Sequence, residues 1–139
     1  MSSQLALGSA LYSRLCGTAL GTLTAGGTAS PSVFFEQAPD NQSTPYVVFL
    51  YPSELDNNQQ SRRLKDVVVR VYGVANSPAV AGSLDSAIDT LLHRKALTMT
   101  GWTNLQLIRE NGYQLVSTSE SGIRYYTSGA DYRAEITTT

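Results

Sequence analysis

The 139-residue sequence has few charged residues, a single cysteine and no long apolar run. Charged side chains make up 15% of it, against about 25% in an average soluble domain. Cys16 alone cannot form an internal disulfide or a cysteine-based metal cluster. Because no run of about 18 apolar residues exists, we expect no segment to span a membrane. These absences exclude a disulfide scaffold, a cysteine-ligated zinc domain and a helical membrane protein.

Neither sign of charge prevails in the chain. Ten Lys and Arg against 11 Asp and Glu give a net charge of −1, which provides no general attraction to nucleic acid or to an anionic membrane. Polarity comes instead from 30 Ser and Thr residues, and 42% hydrophobic residues exclude global disorder. The length predicts one domain, residues 1–139. The N-terminal residues include no positively charged leader, so we expect synthesis in a reducing cytoplasm.

Two helices are predicted from apolar spacing. Leu7, Leu11 and Leu15 lie four apart in a first helix that Gly26-Gly27 should end. Ser77-Pro78 favours the start of a second helix, with an apolar stripe along it and Arg94-Lys95 in its last turn.

The remaining segments predict strands. Residues 32–36 form a short strand, and residues 46–51, ended by Pro52, are joined to residues 64–72 by a polar loop over residues 53–61. The last third predicts three more strands, with a hairpin turn at Asn111-Gly112. The fold class is therefore α+β: a mainly antiparallel sheet with a long β-hairpin, packed against two helices.

Residues with catalytic potential are few. His93 follows Asp89 by one helical turn, which fits a general base oriented by a carboxylate, but a solvated surface pair is the preferred interpretation. Asp85 and Asp89 are likewise interpreted as a solvated helix face, and Cys16 as a core residue. The sequence thus predicts no catalytic residue, no cofactor and no metal site.

One basic cluster lies where the polar loop meets the strand that follows it. Arg62, Arg63 and Lys65 are flanked by acidic residues at positions 54, 56 and 66, so their charge is locally balanced. This favours a hairpin tip or a protein contact over nucleic-acid binding.

The organisation of the chain resembles a known family. A leading helix and a glycine-rich turn are followed by Thr44-Pro45-Tyr46-Val47-Val48-Phe49, then by Val67-Val68-Val69-Arg70-Val71-Tyr72. A helix ending in Leu91-Leu92-His93 precedes an antiparallel tail that closes on Asp131-Tyr132-Arg133-Ala134. Over residues 5–136 this pattern resembles the tail-completion, or tail terminator, proteins of long-tailed bacteriophages.

The resemblance implies a structural role without catalytic residues. Such proteins form small rings, typically hexamers, that cap the tail tube at its head-proximal end, stop its polymerisation and face the head–tail connector while DNA passes through the lumen. It therefore implies a virion protein assembled in the host cytoplasm, with the tail-tube protein and a connector or stopper protein as partners and no membrane. A head-completion or stopper ring protein, a small α+β enzyme and a ligand-binding domain are the alternatives.

Two segments are the predicted contact sites. The first is the polar tip of the long hairpin, and the second is the polar, tyrosine-bearing segment 119–129, because the unpaired edges of hairpins and terminal strands can pair across subunits. The predicted partner or ring contacts are Glu54, Asp56, Asn58, Arg62, Arg63, Tyr125 and Tyr126.

Overall fold

Three helices and five strands make up the fold in a computed structural model, within the described residues 3–57 and 64–138. Within those residues, the elements in chain order are α1 (Ser3–Leu15), α2 (Thr18–Gly21), β1 (Val33–Phe35), β2 (Tyr46–Asn57), β3 (Leu64–Ala75), α3 (Pro78–Leu92), β4 (Trp102–Thr118) and β5 (Arg124–Thr138).

The five strands form one sheet in the order β1-β2-β3-β5-β4. Only β1 and β2 run parallel, and every other neighbouring pair is antiparallel. The sheet edges are therefore β1, which has three residues, and β4, which has 17. This arrangement confirms the predicted α+β class and the long hairpin made of β2 and β3.

The core lies between the helices and one face of the sheet. Val67, Val69 and Val71 alternate along β3 and are all fully buried, as a strand with one covered face requires. Leu84 and Ile88, four apart on α3, are also fully buried. Each such side chain contributes about 1.5–3 kcal/mol on burial, so the apolar stripe of α3 holds the helix to the sheet.

The first predicted helix is in fact two. α1 ends at Leu15, and α2 starts at Thr18 after a break at Cys16 and Gly17. Glycine lowers helix stability by about 1 kcal/mol relative to alanine, which favours a break at this position. Gly21, the last residue of α2, packs so closely on Thr28 that a Cβ there would lie 2.8 Å from the Thr28 Cα.

The predicted end of a strand at Pro52 is wrong, since β2 continues through it to Asn57. The pairing with β3 shifts register between Leu50 and Ser53, and the shift places Pro52 in a bulge. A bulged residue needs no ladder hydrogen bond, so proline is tolerated there. Glu54 consequently belongs to the strand and not to a loop.

The predicted turn at Asn111-Gly112 is also wrong. Both residues lie inside β4, which pairs with β5 from Trp102 to Thr118 and has a register shift between Arg109 and Asn111. The turn falls at residues 119–123, where Gly122 has a φ of 86°. The tail of the chain therefore contributes two long strands where three short ones were predicted.

The second predicted helix extends less far than expected. α3 ends at Leu92, and Arg94 adopts a φ of 58°, so Arg94 and Lys95 lie beyond its last turn. Their backbone turns toward the sheet instead. The Arg94 N–H donates to the Leu107 carbonyl at 2.7 Å, and the Leu107 N–H donates to the Lys95 carbonyl at 3.1 Å.

The close approach of α3 to β3 depends on a glycine and generates a stability prediction. A Cβ on Gly73 would lie 2.5 Å from the Leu84 Cβ, which the helix backbone holds in place. Gly73→Ala should therefore lower the free energy of unfolding by about 1–3 kcal/mol in urea denaturation, because the added methyl overpacks this layer. Gly112→Ala, in β4 of the same sheet, is the matched control because nothing lies within 4 Å of the position that its methyl would take. Equal effects of the two substitutions would contradict this account.

Candidate assembly surfaces

The predicted hairpin contacts divide between described and undescribed residues. Glu54 is half-buried, accepts a hydrogen bond from Gln4 Nε2 at 2.8 Å, and pairs with Lys65 Nζ at 2.7 Å. It therefore ties the hairpin to α1. Asp56 lies on β2 opposite Lys65, but its side chain is not among those that the structure describes. Asn58, Arg62 and Arg63 lie outside the described residues, so their contacts stay predictions.

Tyr125 and Tyr126 are half-buried near the start of β5 and face opposite sides of the sheet. Tyr126 pairs with Ala75 at the end of β3, whereas Lys65, the partner of Glu54, pairs with Ile136 near the other end of β5. The two predicted contact segments therefore lie at opposite ends of the strands and do not form one site.

The hairpin between β4 and β5 carries an exposed apolar surface that the sequence reasoning missed. Its end, residues 115–125, is named here the arm. Leu115 is 52% exposed, Val116 59% and Ile123 48%. Ser119 closes the turn, because its N–H donates to the Ile123 carbonyl at 2.8 Å and its carbonyl accepts from Gly122 at 2.9 Å. The sequence predicted residues 113–118 as a returning strand, but the wrong turn position hid the exposure of Leu115 and Val116.

A second apolar surface lies at the opposite edge of the sheet. It is a groove of about 920 Å³ between α1 and the first two strands, named here the α1–β1 groove. Leu5, Tyr12 and Phe35 line it and are 60%, 50% and 46% exposed. The Phe35 ring lies 5.3 Å from each of the rings of Phe49 and Tyr51. Glu36, exposed next to Phe35, adds a negative charge to the lining.

The uncovered face of the sheet presents a charged and aromatic cluster. Arg70 Nε donates to Asp131 Oδ1 at 2.8 Å, and the guanidinium lies 4.5 Å above the Tyr113 ring. Tyr72 contacts Tyr113 at 5.6 Å between ring centroids, across the side-chain-free Gly129. The hydrogen bond to Asp131 raises the pKa of Arg70, and burial raises the pKa of Tyr72. This cluster satisfies its own charges.

The predicted solvated face of α3 is wrong, because Asp85 and Asp89 point toward the sheet. Arg109 on β4 holds Asp85 with two hydrogen bonds of 2.9 and 3.1 Å. Asp89 accepts from the Tyr132 hydroxyl at 3.1 Å and lies 3.6 Å from Arg109. The hydrogen bond to Asp85 raises the pKa of Arg109, so the guanidinium stays charged. The carboxylates therefore link α3 to β4 and β5.

His93 does not form the predicted pair with the Asp89 carboxylate. Its Nδ1 accepts a hydrogen bond from the Arg109 N–H at 3.1 Å, because the chain leaves the helix at His93 and turns toward β4. The general-base arrangement of the enzyme alternative is therefore not formed. Cys16 is half-buried against the core, as predicted, and burial raises the pKa of its thiol.

Two other kinds of site have no candidate in the described ranges. Within residues 3–57 and 64–138, no group of three or more His, Cys, Asp or Glu side chains is placed to hold a metal ion. None of the helices described has the length and apolarity to cross a membrane.

Fold and surfaces together define an α+β domain with exposed apolar patches at two opposite edges of one sheet, as expected of a protein that binds other macromolecules. The chain belongs to the family of tail completion protein gp17, whose family model matches residues 9–137. It is therefore a structural protein of a bacteriophage tail and a component of the virion.

Solved structures agree on the fold. A chain from the virion of a native gene transfer agent (GTA) particle matches with a TM-score of 0.66 and 18% identity, covering 98% of each chain. A second solved structure matches with a TM-score of 0.58 and 13% identity, over 100% of this chain and 97% of the other. No curated protein matches the sequence significantly.

The link between α3 and the sheet predicts a specific loss of stability at alkaline pH. Tyr132 is fully buried, and burial together with the Asp89 carboxylate raises its pKa. An unfolded tyrosine titrates near about pH 10, so the stabilisation from neutral Tyr132 is complete below that pH and lost as pH rises through the folded pKa. The phenylalanine in Tyr132→Phe cannot ionise. Above about pH 10, the free energy of unfolding of this variant should therefore fall less steeply with pH than that of the wild type, and the two slopes should differ by about 1.4 kcal/mol per pH unit.

Urea denaturation at several pH values measures this slope. Tyr132→Phe also removes the hydrogen bond that the hydroxyl donates to Asp89. Below about pH 10 this loss lowers the free energy of unfolding by the same amount at every pH, so the slope against pH is unchanged there. Parallel curves for the two proteins above that pH would contradict the assignment.

Proposed function

We propose that this tail protein forms a ring, hexameric in the simplest case, at the head-proximal end of the tail. The ring ends polymerisation of the tail tube, presents its other side to the connector or stopper protein, and lets DNA pass through its lumen. In this proposal residues 1–139 act as one domain. Membership of the tail completion family is the observation that carries the proposal.

The edges of the sheet support ring formation. A ring subunit needs two unlike patches that match each other, one for each neighbour. The arm and the α1–β1 groove are apolar patches at opposite edges. An apolar surface of this kind is more stable when a partner covers it, by about 25 cal/mol per Å² removed from water.

The long edge strand β4 adds a further contact site. Along its first half, backbone hydrogen bonds join Leu107 to Arg94 and Lys95, and the Arg109 N–H is bound by His93. Residues 111–118, in contrast, pair with β5 on one side and have no strand on the other within the described parts of the chain. An uncovered strand edge offers N–H and C=O groups to a neighbouring subunit or to the tube protein.

Low charge suits a channel for DNA. Six copies at −1 each carry a formal charge of −6, which gives no net attraction to phosphate groups. DNA therefore passes such a ring without being held by its overall charge. Contacts with a neighbouring subunit or with a partner protein are assigned in this proposal to Glu54, Asp56, Asn58, Arg62, Arg63, Tyr125 and Tyr126.

A tube-growth assay tests the proposed activity. Purified tail-tube protein of the same phage is polymerised with and without this chain, and tube lengths and ends are measured by negative-stain electron microscopy. We expect shorter tubes with a ring at one end, because a bound ring blocks further addition. If tube lengths are unchanged and the rings bind the connector side, the result would favour a stopper protein. A chain that stays monomeric with tube protein present would contradict the proposed ring.

Substitution of the only histidine tests the non-enzymatic role. His93→Ala removes the acceptor of the Arg109 N–H and should lower the free energy of unfolding by about 1 kcal/mol. Tube capping should remain at the wild-type level when both proteins are fully folded. Loss of capping without loss of folding would contradict a purely structural role for His93.

A further inference from the structure

We propose that the arm of one subunit docks into the α1–β1 groove of the next copy of this chain, and that this contact closes the ring. The proposal rests on the proposed ring function and deepens it by naming the two matching surfaces. It commits to a second copy of the chain as the occupant of the groove.

The distribution of exposed apolar side chains is the first argument. Among the described residues, six large hydrophobic side chains are exposed, and all of them belong to the arm or to the groove. The arm contributes three, and the groove contributes Leu5, Tyr12 and Phe35. An exposed apolar set of this kind marks an interaction site, and two sets of similar size on one chain are what a heterologous contact requires.

The positions of the two surfaces favour docking between subunits over docking within one subunit. β1, which borders the groove, and β4, which carries the arm, are the two edges of the sheet. Three strands lie between them in the sheet. Leu115, Ser117 and Tyr125 of the arm line a separate pocket on the open face, which shares only Glu36 with the groove lining. A contact between opposite edges joins subunits head to tail, which closes into a ring when the rotation between neighbours is right.

Shape is the second argument. Leu115 and Val116 are consecutive residues of β4, so their side chains point to opposite faces of the arm, and both are more than half exposed. An arm that is apolar on both faces is covered better by insertion into a concave surface than by lying on a flat one. The groove offers such a surface, with aromatic rings from Phe35, Phe49 and Tyr51.

Charge is the third argument. Glu36 is the charged side chain in the groove lining, and it is exposed. The arm carries the exposed Arg124 one residue after Ile123. Docking the apolar side chains of the arm brings Arg124 to the groove, where an opposite charge at the rim fixes the orientation of the contact.

Cysteine cross-linking tests the contact directly. In a Cys16→Ser background, Ser9→Cys places a thiol in the groove lining and Ser117→Cys places one on the exposed arm. A short bis-maleimide reagent should join a chain carrying only Ser9→Cys to a chain carrying only Ser117→Cys. The double variant should give a ladder of covalent oligomers up to the full ring.

A matched control replaces Ser9→Cys with Ser83→Cys, which lies on the exposed side of α3 away from the groove. We expect no ladder from this pair. Two results would overturn the docking proposal and leave the ring standing. In the first, rings form but Ser9→Cys does not cross-link to Ser117→Cys; in the second, the control pair cross-links equally well. A chain that is monomeric with tube protein present contradicts the proposed function itself.

A charge exchange provides an independent test. Glu36→Arg and Arg124→Glu should each weaken ring formation about tenfold, because each places like charges at the contact. The double variant should restore assembly, measured by analytical ultracentrifugation. If neither single variant changes assembly, or if the double variant loses the sum of both effects, the groove is occupied by something other than the arm.

Discussion

The close packing of α3 on β3 is the constraint on which the rest of the structure depends. Gly73 has no side chain, and Leu84 occupies the space where one would be, so the helix lies directly on the sheet. Its buried residues Leu84, Ile88 and Leu92 then cover one face together with α1. Because that face is closed, contact with other proteins is left to the open face of the sheet and to its two edges.

Several charged residues fix this arrangement. Arg109 bridges β4 to α3 through Asp85, Arg70 pairs with Asp131 across the open face, and Lys65 pairs with Glu54 within the hairpin. With only 15% charged residues, few charges remain for the surface. The surface is therefore rich in hydroxyl and apolar groups, which suits a subunit that has a neighbour on each side, because interface cores are depleted in charge.

Local patterns predicted the elements that depend on nearest neighbours in the chain. Ser77-Pro78 and the apolar stripe predicted the start and the buried face of α3, and runs rich in valine and aromatic residues predicted β2 and β3. Pro52 misled because it lies in a bulge inside a long strand, and Asn111-Gly112 misled because both residues pair with β5 directly after a register shift; both features depend on the partner strand. The groove could not be predicted from local patterns for a similar reason. It exists only where α1 meets the parallel pair β1 and β2, about 30 residues away in sequence. The exposure of the arm likewise depends on another strand, because β3 ends at Ala75, opposite Tyr126, and does not extend beside the arm.

The central claim is that this tail protein assembles head to tail through the opposite edges of its sheet. Cryo-electron microscopy of the chain bound at the end of a tail tube tests it most directly. The account predicts a ring with cyclic symmetry in which residues 115–125 of each subunit lie against α1 and β1 of the next. Subunits related by two-fold axes, with like edges in contact, would contradict it.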